Sequence, residues 1–203
     1  MVERTLDVPP GHLAEVATYL EIVSPDAFAP PGPPRGGWEM RRIERPTLEE
    51  YRALFRAVGE RWLWCSRLMW SDAKVLSLIR DPGIEVYALA QGGARMGMLE
   101  LDFREPGEVE IALLGVVDAL IGTGAGTFLM SFALERAWAA KPRRVWLHTC
   151  QYDSPQAMGF YRRCGFVAYR QQIEIYPDPR LIGALPRTAA PHVPLAGGTP
   201  VLG

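Results

Sequence analysis

The run Ile121 to Gly126 (IGTGAG) lies between an apolar stretch and a helix-like one, a setting in which glycines cradle phosphate. The unpaired amides of a first helical turn point outward, and the helix dipole favours negative charge there. Gly122, Gly124 and Gly126 let the backbone approach phosphate oxygens with no Cβ in the way. A tight turn without a ligand is the competing reading. Spacing excludes two other phosphate motifs. A dinucleotide-binding turn needs Gly-x-Gly-x-x-Gly, but Thr127 follows Gly126 directly, and the next strand ends in His148-Thr149-Cys150 with no acid. A Walker A loop needs a Gly-Lys pair, and this loop has no lysine.

A second constellation is DSPQAMGFYRRCGF, Asp153 to Phe166. Ser154, Ala157 and Tyr161 recur at spacings of three and four, which a helix gathers on one face. A positioned phenol on such a face can act as a general acid. A core tyrosine bonded to backbone is the alternative. Two carboxylates fall in strand-like runs, Glu100 (in GMLELDF) and Glu110 (in EVEIALLGVV). If Pro106-Gly107 makes a two-residue hairpin turn, Glu110 sits opposite Phe103. Glu100 and Asp102 then project to the other face unless a bulge breaks the register. The segment RWLWCSRLMW, Arg61 to Trp70, holds three tryptophans and two arginines. Trp62, Trp64 and Trp70 suit a flat or cationic group, and Arg61 or Arg67 a carboxylate. Packing of this cluster against a sheet competes with that reading.

These residues need elements to position them. Ala14 to Val23 reads as a strand or a short helix, and Trp38 to Glu44 as a strand ended by Pro46. Thr47 and Glu50 have capping-box spacing and open a helix through about Val58. A second helix covers Asp72 to Arg80 before Asp81-Pro82-Gly83. Strands are expected at Ile84–Ala90, Arg95–Arg104 and Glu108–Val117, forming an antiparallel meander. A helix from about Ala125 to Ala140 follows the glycine loop, then a strand at Arg143–Cys150. A helix at Pro155–Cys164 and a strand at Val167–Tyr176 complete the pattern. The fold class is therefore α+β, with a mixed, mostly antiparallel central sheet and helices on both faces. The chain divides into an N-terminal extension with a Pro/Gly-rich linker (1–37), a main domain (38–176) and a Pro-rich C-terminal tail (177–203), expected to lie extended or disordered.

Bulk properties narrow the function classes. A formal net charge of −1 without a Lys/Arg run argues against capture of nucleic acid or an anionic membrane. The start MVERTLDVPPGH lacks the basic stretch and apolar core of a secretory signal, and no apolar run nears the roughly 20 residues that span a bilayer. Three dispersed cysteines fit reduced thiols in a cytoplasm, and three scattered histidines show no zinc spacing.

Leu114 to Gly126 (LGVVDALIGTGAG) resembles the acyl-CoA loop of the GNAT superfamily of N-acyltransferases, and the resemblance runs on through Tyr161 and Gly165-Phe166. It covers the second half of the chain well and the first 80 residues poorly. Ile121 stands where the superfamily has Arg or Gln, and Thr123 where a basic residue is usual. Any pyrophosphate is then left to backbone amides and the Thr123 and Thr127 hydroxyls. The resemblance implies an acetyl-CoA co-substrate held by Leu114, Val116, Gly122, Thr123, Gly124, Ala125, Gly126, Thr127, Ser154 and Ala157. It implies Tyr161 as the acid beside the sulfur and Glu110 as general base, with Glu100 as rival. It sets Trp62, Trp64, Arg67 and Glu100 toward the acceptor, a small-molecule or protein amine. Transfer is expected to be direct, within a ternary complex; an acyl-cysteine route through Cys150 or Cys164 and a non-catalytic acyl-CoA-binding module are the alternatives. The expected setting is cytoplasmic and metal-free, with homodimer formation left open.

Overall fold

The computed structural model describes residues 5–27 and 36–195. In chain order the elements are β1 (His12–Ile22), β2 (Glu39–Arg42), α1 (Leu48–Gly59), α2 (Ser66–Met69), α3 (Asp72–Ile79) and β3 (Ile84–Gln91). They continue with β4 (Ala94–Asp102), β5 (Glu108–Val116), α4 (Ala125–Ala139), β6 (Arg144–Thr149), α5 (Ala157–Arg163) and β7 (Val167–Pro177). Most of the Pro/Gly-rich stretch at 30–37 lies outside the described residues.

The strands form one sheet in the order β2-β3-β4-β5-β6-β1-β7. Only β5 and β6 are parallel neighbours, because α4 carries the chain back across the sheet between them. The open question over Ala14–Val23 resolves to a strand, and β1 pairs antiparallel with both β6 and β7. α1 starts where the capping box predicts: Thr47 Oγ1 accepts from Glu50 N at 3.1 Å, while Glu50 Oε2 accepts from Thr47 N at 3.1 Å. Such a cap stabilises a helix by about 1 kcal/mol.

Both sheet faces are covered. Leu20, Leu99, Ile111, Val145 and Leu147 pack against α4 and α5, through Leu129, Met130, Ala133 and Tyr161. Val86, Met98 and Leu113 pack on the other face, against Tyr51 and Phe55 of α1 and Val75 and Ile79 of α3. Ile111 and Leu113 serve opposite faces although two residues apart, because the β4–β5 register shifts between Glu100 and Leu101 and leaves Ala112 as an extra residue.

Two expectations change. The Pro106-Gly107 connection is longer than a two-residue turn, so Glu110 pairs with Asp102 rather than Phe103. Glu100, Asp102 and Glu110 therefore share one face. The described part of the tail, to residue 195, is not extended. Leu185, Ala189, Ala190 and Val193 pack on Leu13 and Leu63 in a third cluster. Asp178 and Arg180, 0% and 3% exposed, form an ion pair at 2.7 Å, and Arg180 also donates to the carbonyls of Val193 and Pro194. Composition suggested disorder because few residues here are large and apolar; one buried guanidinium gathers the carbonyls instead.

Candidate active site

β5 and β6 pair only from Glu108 to Glu110, so Leu114–Val116 diverge from β6 and open a cleft. Gly115 permits the wall of this cleft: a Cβ there would meet Val58 Cγ1 at 2.6 Å and the Trp64 ring at 3.1 Å. At the mouth, Gly124 takes φ +95°, a conformation L side chains rarely adopt, and opens α4 without a side-chain cap. The amides of Gly122, Gly124, Gly126 and Thr127 make no hydrogen bond among the described residues. A Cβ at Gly122 or Gly126 would meet nothing within 4 Å. Unsatisfied amides facing open space at a helix start fit an anion.

This cleft forms a cavity of about 390 Å³ reached by Leu114, Val116, Gly122, Gly124, Gly126, Thr127, Ser154 and Ala157. Thr123 and Ala125 do not line it. The Thr123 hydroxyl donates to Leu120 O at 2.7 Å, and Ala125 is wholly buried in the core. Arg163, on α5, does line it, and among the described residues it makes no ion pair. Sequence reading looked for the basic residue inside the glycine loop and so missed one delivered by another helix.

A second cavity, about 490 Å³, adjoins the first and shares Trp62, Trp64, Leu114, Asp153 and Tyr161 with it. Tyr161 is 9% exposed, and its hydroxyl makes no hydrogen bond among the described residues. Burial and then the Asp153 charge raise its pKa, so the phenol is held protonated. Asp153 fixes the junction: it accepts from Trp64 Nε1 at 3.1 Å and from Thr149 Oγ1 at 2.6 Å. Thr149 is four residues away, but Trp64 lies 89 residues away in sequence, so no local pattern signals the junction.

The two candidate base carboxylates share a face but not a situation. Glu100 is 0% exposed, bonded by the Tyr51 hydroxyl and ion-paired with Arg67 at 2.7 Å. Arg67 also donates to Tyr51 Oη at 3.1 Å and stacks on Trp70, so neither Glu100 nor Arg67 borders either cavity. Glu110 borders neither cavity directly, but its Oε1 lies 3.5 Å from His148 Nδ1, and His148 lines the second cavity. Hydrogen bonding to Glu110, followed by its charge, raises the imidazole pKa against an opposing effect of burial. Trp146 and His148 are β6 neighbours of the Glu110 face, so the parallel pairing of Glu110 with Trp146 brings the dyad together.

The remaining wall of the second cavity is acidic and aromatic. Glu15 on β1 and Glu174 on β7 are cross-strand partners, and Tyr176 Oη donates to Glu15 Oε2 at 2.6 Å. Trp62 and Trp64 flank Leu63, which is left-handed at φ 57° and buried under the tail. Arg61 turns away to Asp118 at 2.7 Å. The thiols are poorly placed for covalent chemistry: burial pushes Cys65 up to about 12 and Cys164 to about 11, and raises Cys150 with help from Asp153. Among the described residues no group of His, Cys, Asp and Glu is arranged to hold a metal, and no helix is long and apolar enough to cross a membrane.

A seven-stranded mixed sheet splayed at β5/β6, with a glycine loop opening the helix between them, is the frame of this site. The family model described as the acetyltransferase (GNAT) family matches residues 40–166, and the chain belongs to that family. No curated protein matches the chain. Among solved structures it is similar to a functionally unknown conserved protein from Staphylococcus epidermidis ATCC 12228, with TM-score 0.59 and 15% identity over 83% of this chain and 63% of that one. The chain thus spans less than two thirds of that protein. An IAA acetyltransferase from Bacillus cereus ATCC 14579 aligns with TM-score 0.51 and 22% identity over 66% of this chain and 79% of that one. A putative GNAT-family acetyltransferase from Novosphingobium aromaticivorans aligns with TM-score 0.56 and 17% identity over 84% and 68%. These likenesses concern the fold.

Proposed function

We propose that this protein is an N-acetyltransferase that moves an acetyl group from acetyl-CoA to a primary amine by direct transfer in a ternary complex. The observation that carries the reading is the meeting of two cavities at one unpartnered, protonated phenol, Tyr161. One cavity fits the co-substrate: unbonded amides of Gly122, Gly124, Gly126 and Thr127 for phosphate, Arg163 as the cation, and the free backbone of Leu114–Val116 alongside. The acetyl thioester supplies the activated carbonyl. Backbone amides of the splayed strand polarise that oxygen. The His148–Glu110 pair takes the proton that an ammonium must lose before its nitrogen bonds to the carbonyl carbon. As the carbon–sulfur bond breaks, Tyr161 gives its proton to the departing thiolate. The second cavity, with its own polar wall, favours this reading over a binding module that lacks an acceptor.

Calorimetric titration with acetyl-CoA, followed by thiol-release assays on an amine panel, tests the proposal. Tyr161→Phe is expected to lower kcat by roughly a hundredfold while the Kd for acetyl-CoA barely moves. Unchanged turnover in that variant, or no acetyl-CoA binding by the native protein, would refute it.

A further inference from the structure

The acceptor cavity carries an unusual balance of charge. Glu15, Asp153 and Glu174 line it, and no lysine or arginine does, in a chain whose acids and bases nearly cancel. Asp153 is committed to Trp64 and Thr149 at the junction. Glu15 and Glu174 are different: they face each other across β1 and β7, on the same sheet face as His148. Two carboxylates side by side, Glu15 half-buried and Glu174 exposed, repel one another, and Glu15 accepts from the Tyr176 hydroxyl. Among the described residues Glu174 makes no ion pair; the one basic side chain of the lining is His148, held by Glu110, and two arginines outside the lining are turned elsewhere. Arg170 lies over the Tyr19 ring, and Arg180 is consumed by Asp178.

The place of this pair sets its meaning. Tyr19 is the register partner of His148, and Glu15 lies four residues further along β1, about 13 Å away at strand rise. The acidic pair thus lies along the strand from His148, in the same cavity that the buried, unpartnered Tyr161 hydroxyl borders, and the charge of Glu174 still reaches the imidazole. Neutral, protonated thiols of Cys65 and Cys150 and the Met69 side chain supply apolar lining, and Trp62 and Trp64 wall the end shared with the co-substrate. Arginines that could recognise an acceptor carboxylate are absent from the lining, Arg67 being locked to Glu100 and Arg61 to Asp118.

Resting on the acetyltransferase reading, we infer that the acceptor is a linear aliphatic diamine or polyamine. One nitrogen reacts beside Tyr161 and His148, while Glu15 and Glu174 hold a second ammonium at the far end. Apolar lining suits the methylene chain, and the cavity's volume suits a small molecule rather than a folded surface. Binding of the second cation relieves the repulsion between the carboxylates, so it contributes only to a doubly charged acceptor.

The test compares an α,ω-diaminoalkane, the n-alkylamine of equal chain length and a lysine-containing peptide in steady-state acetylation. The diamine is expected to exceed the monoamine in kcat/KM by about tenfold, through KM, and the peptide by more. Glu174→Gln and Glu15→Gln should each bring the diamine-to-monoamine ratio toward one. Glu174 is solvent-exposed, so its variant is the one that keeps the fold if loss of the Tyr176 bond harms the other. A ratio near one in the native protein, a preferred peptide, or a ratio unchanged in both variants overturns the inference while leaving acetyl transfer standing. Calorimetry of the diamine against the protein with CoA separates the opposite case. Diamine binding weakened by both substitutions, in a protein that acetylates no amine, would support the dication site and refute the transferase reading.

Discussion

The His148 imidazole borders the acceptor cavity with the Glu110 carboxylate behind it, an order of groups that shifts the base from the glutamate to the pair. A raised imidazole pKa keeps His148 protonated, and so unable to accept a proton, up to a higher pH than usual. The acid limb of kcat/KM should therefore lie above the ordinary histidine value, with activity rising as pH climbs through it. Glu110→Gln removes the largest cause of the rise, so the limb should move to lower pH, read from a pH–rate profile with a neutral-range buffer series. An unmoved limb would take Glu110 out of the proton path. Glu110 was singled out by its resemblance to a family glutamate; His148 was not recognised, because its partner comes through the parallel β5–β6 pairing, which no local pattern encodes.

At the scale of elements, Glu100 is the peg that joins α1, α2 and β4 through Tyr51 and Arg67. Its carboxylate is fully buried and satisfied only by those two partners. Glu100→Gln should destabilise the protein by about 3 kcal/mol, measured as a lower urea midpoint at constant m-value, and leave the pH–rate profile in place. Strand and helix positions were largely readable, since periodicity and caps are local: the Thr47–Glu50 box marks the start of α1, and the helix after Gly124 runs as its apolar spacing requires. What escaped were features set by register and by packing. The longer turn that pairs Glu110 with Asp102, and so brings Glu100 and Glu110 to one face, and the extra residue at Ala112, which sets Leu113 opposite Glu100, leave no compositional trace. Arg163 supplies a cation that the loop lacks, but from a helix beyond the next strand.

Considered whole, the molecule builds its second cavity from both ends of the described chain. The tail packs on Leu13 of β1 and on Leu63, the left-handed residue between Trp62 and Trp64, and is anchored by Arg180. Arg180→Ala leaves the buried Asp178 carboxylate without its partner, a loss of roughly 3 kcal/mol. Limited proteolysis should then cut the tail early, and the acceptor KM should rise more than that of acetyl-CoA; equal effects on both would detach the tail from acceptor binding. The insertion of β1 between β6 and β7 carries a consequence for biosynthesis. The strand leaves the ribosome long before either neighbour exists; the Glu15–Tyr176 hydrogen bond closes a separation of 161 residues. Loop closure over that span costs little more than over half of it, but contacts so distant in sequence slow the search for them. The nascent chain must therefore carry an unpaired, half-apolar strand until the last hairpin partner is made, and that interval is when the protein is most exposed to misassociation and most dependent on chaperones.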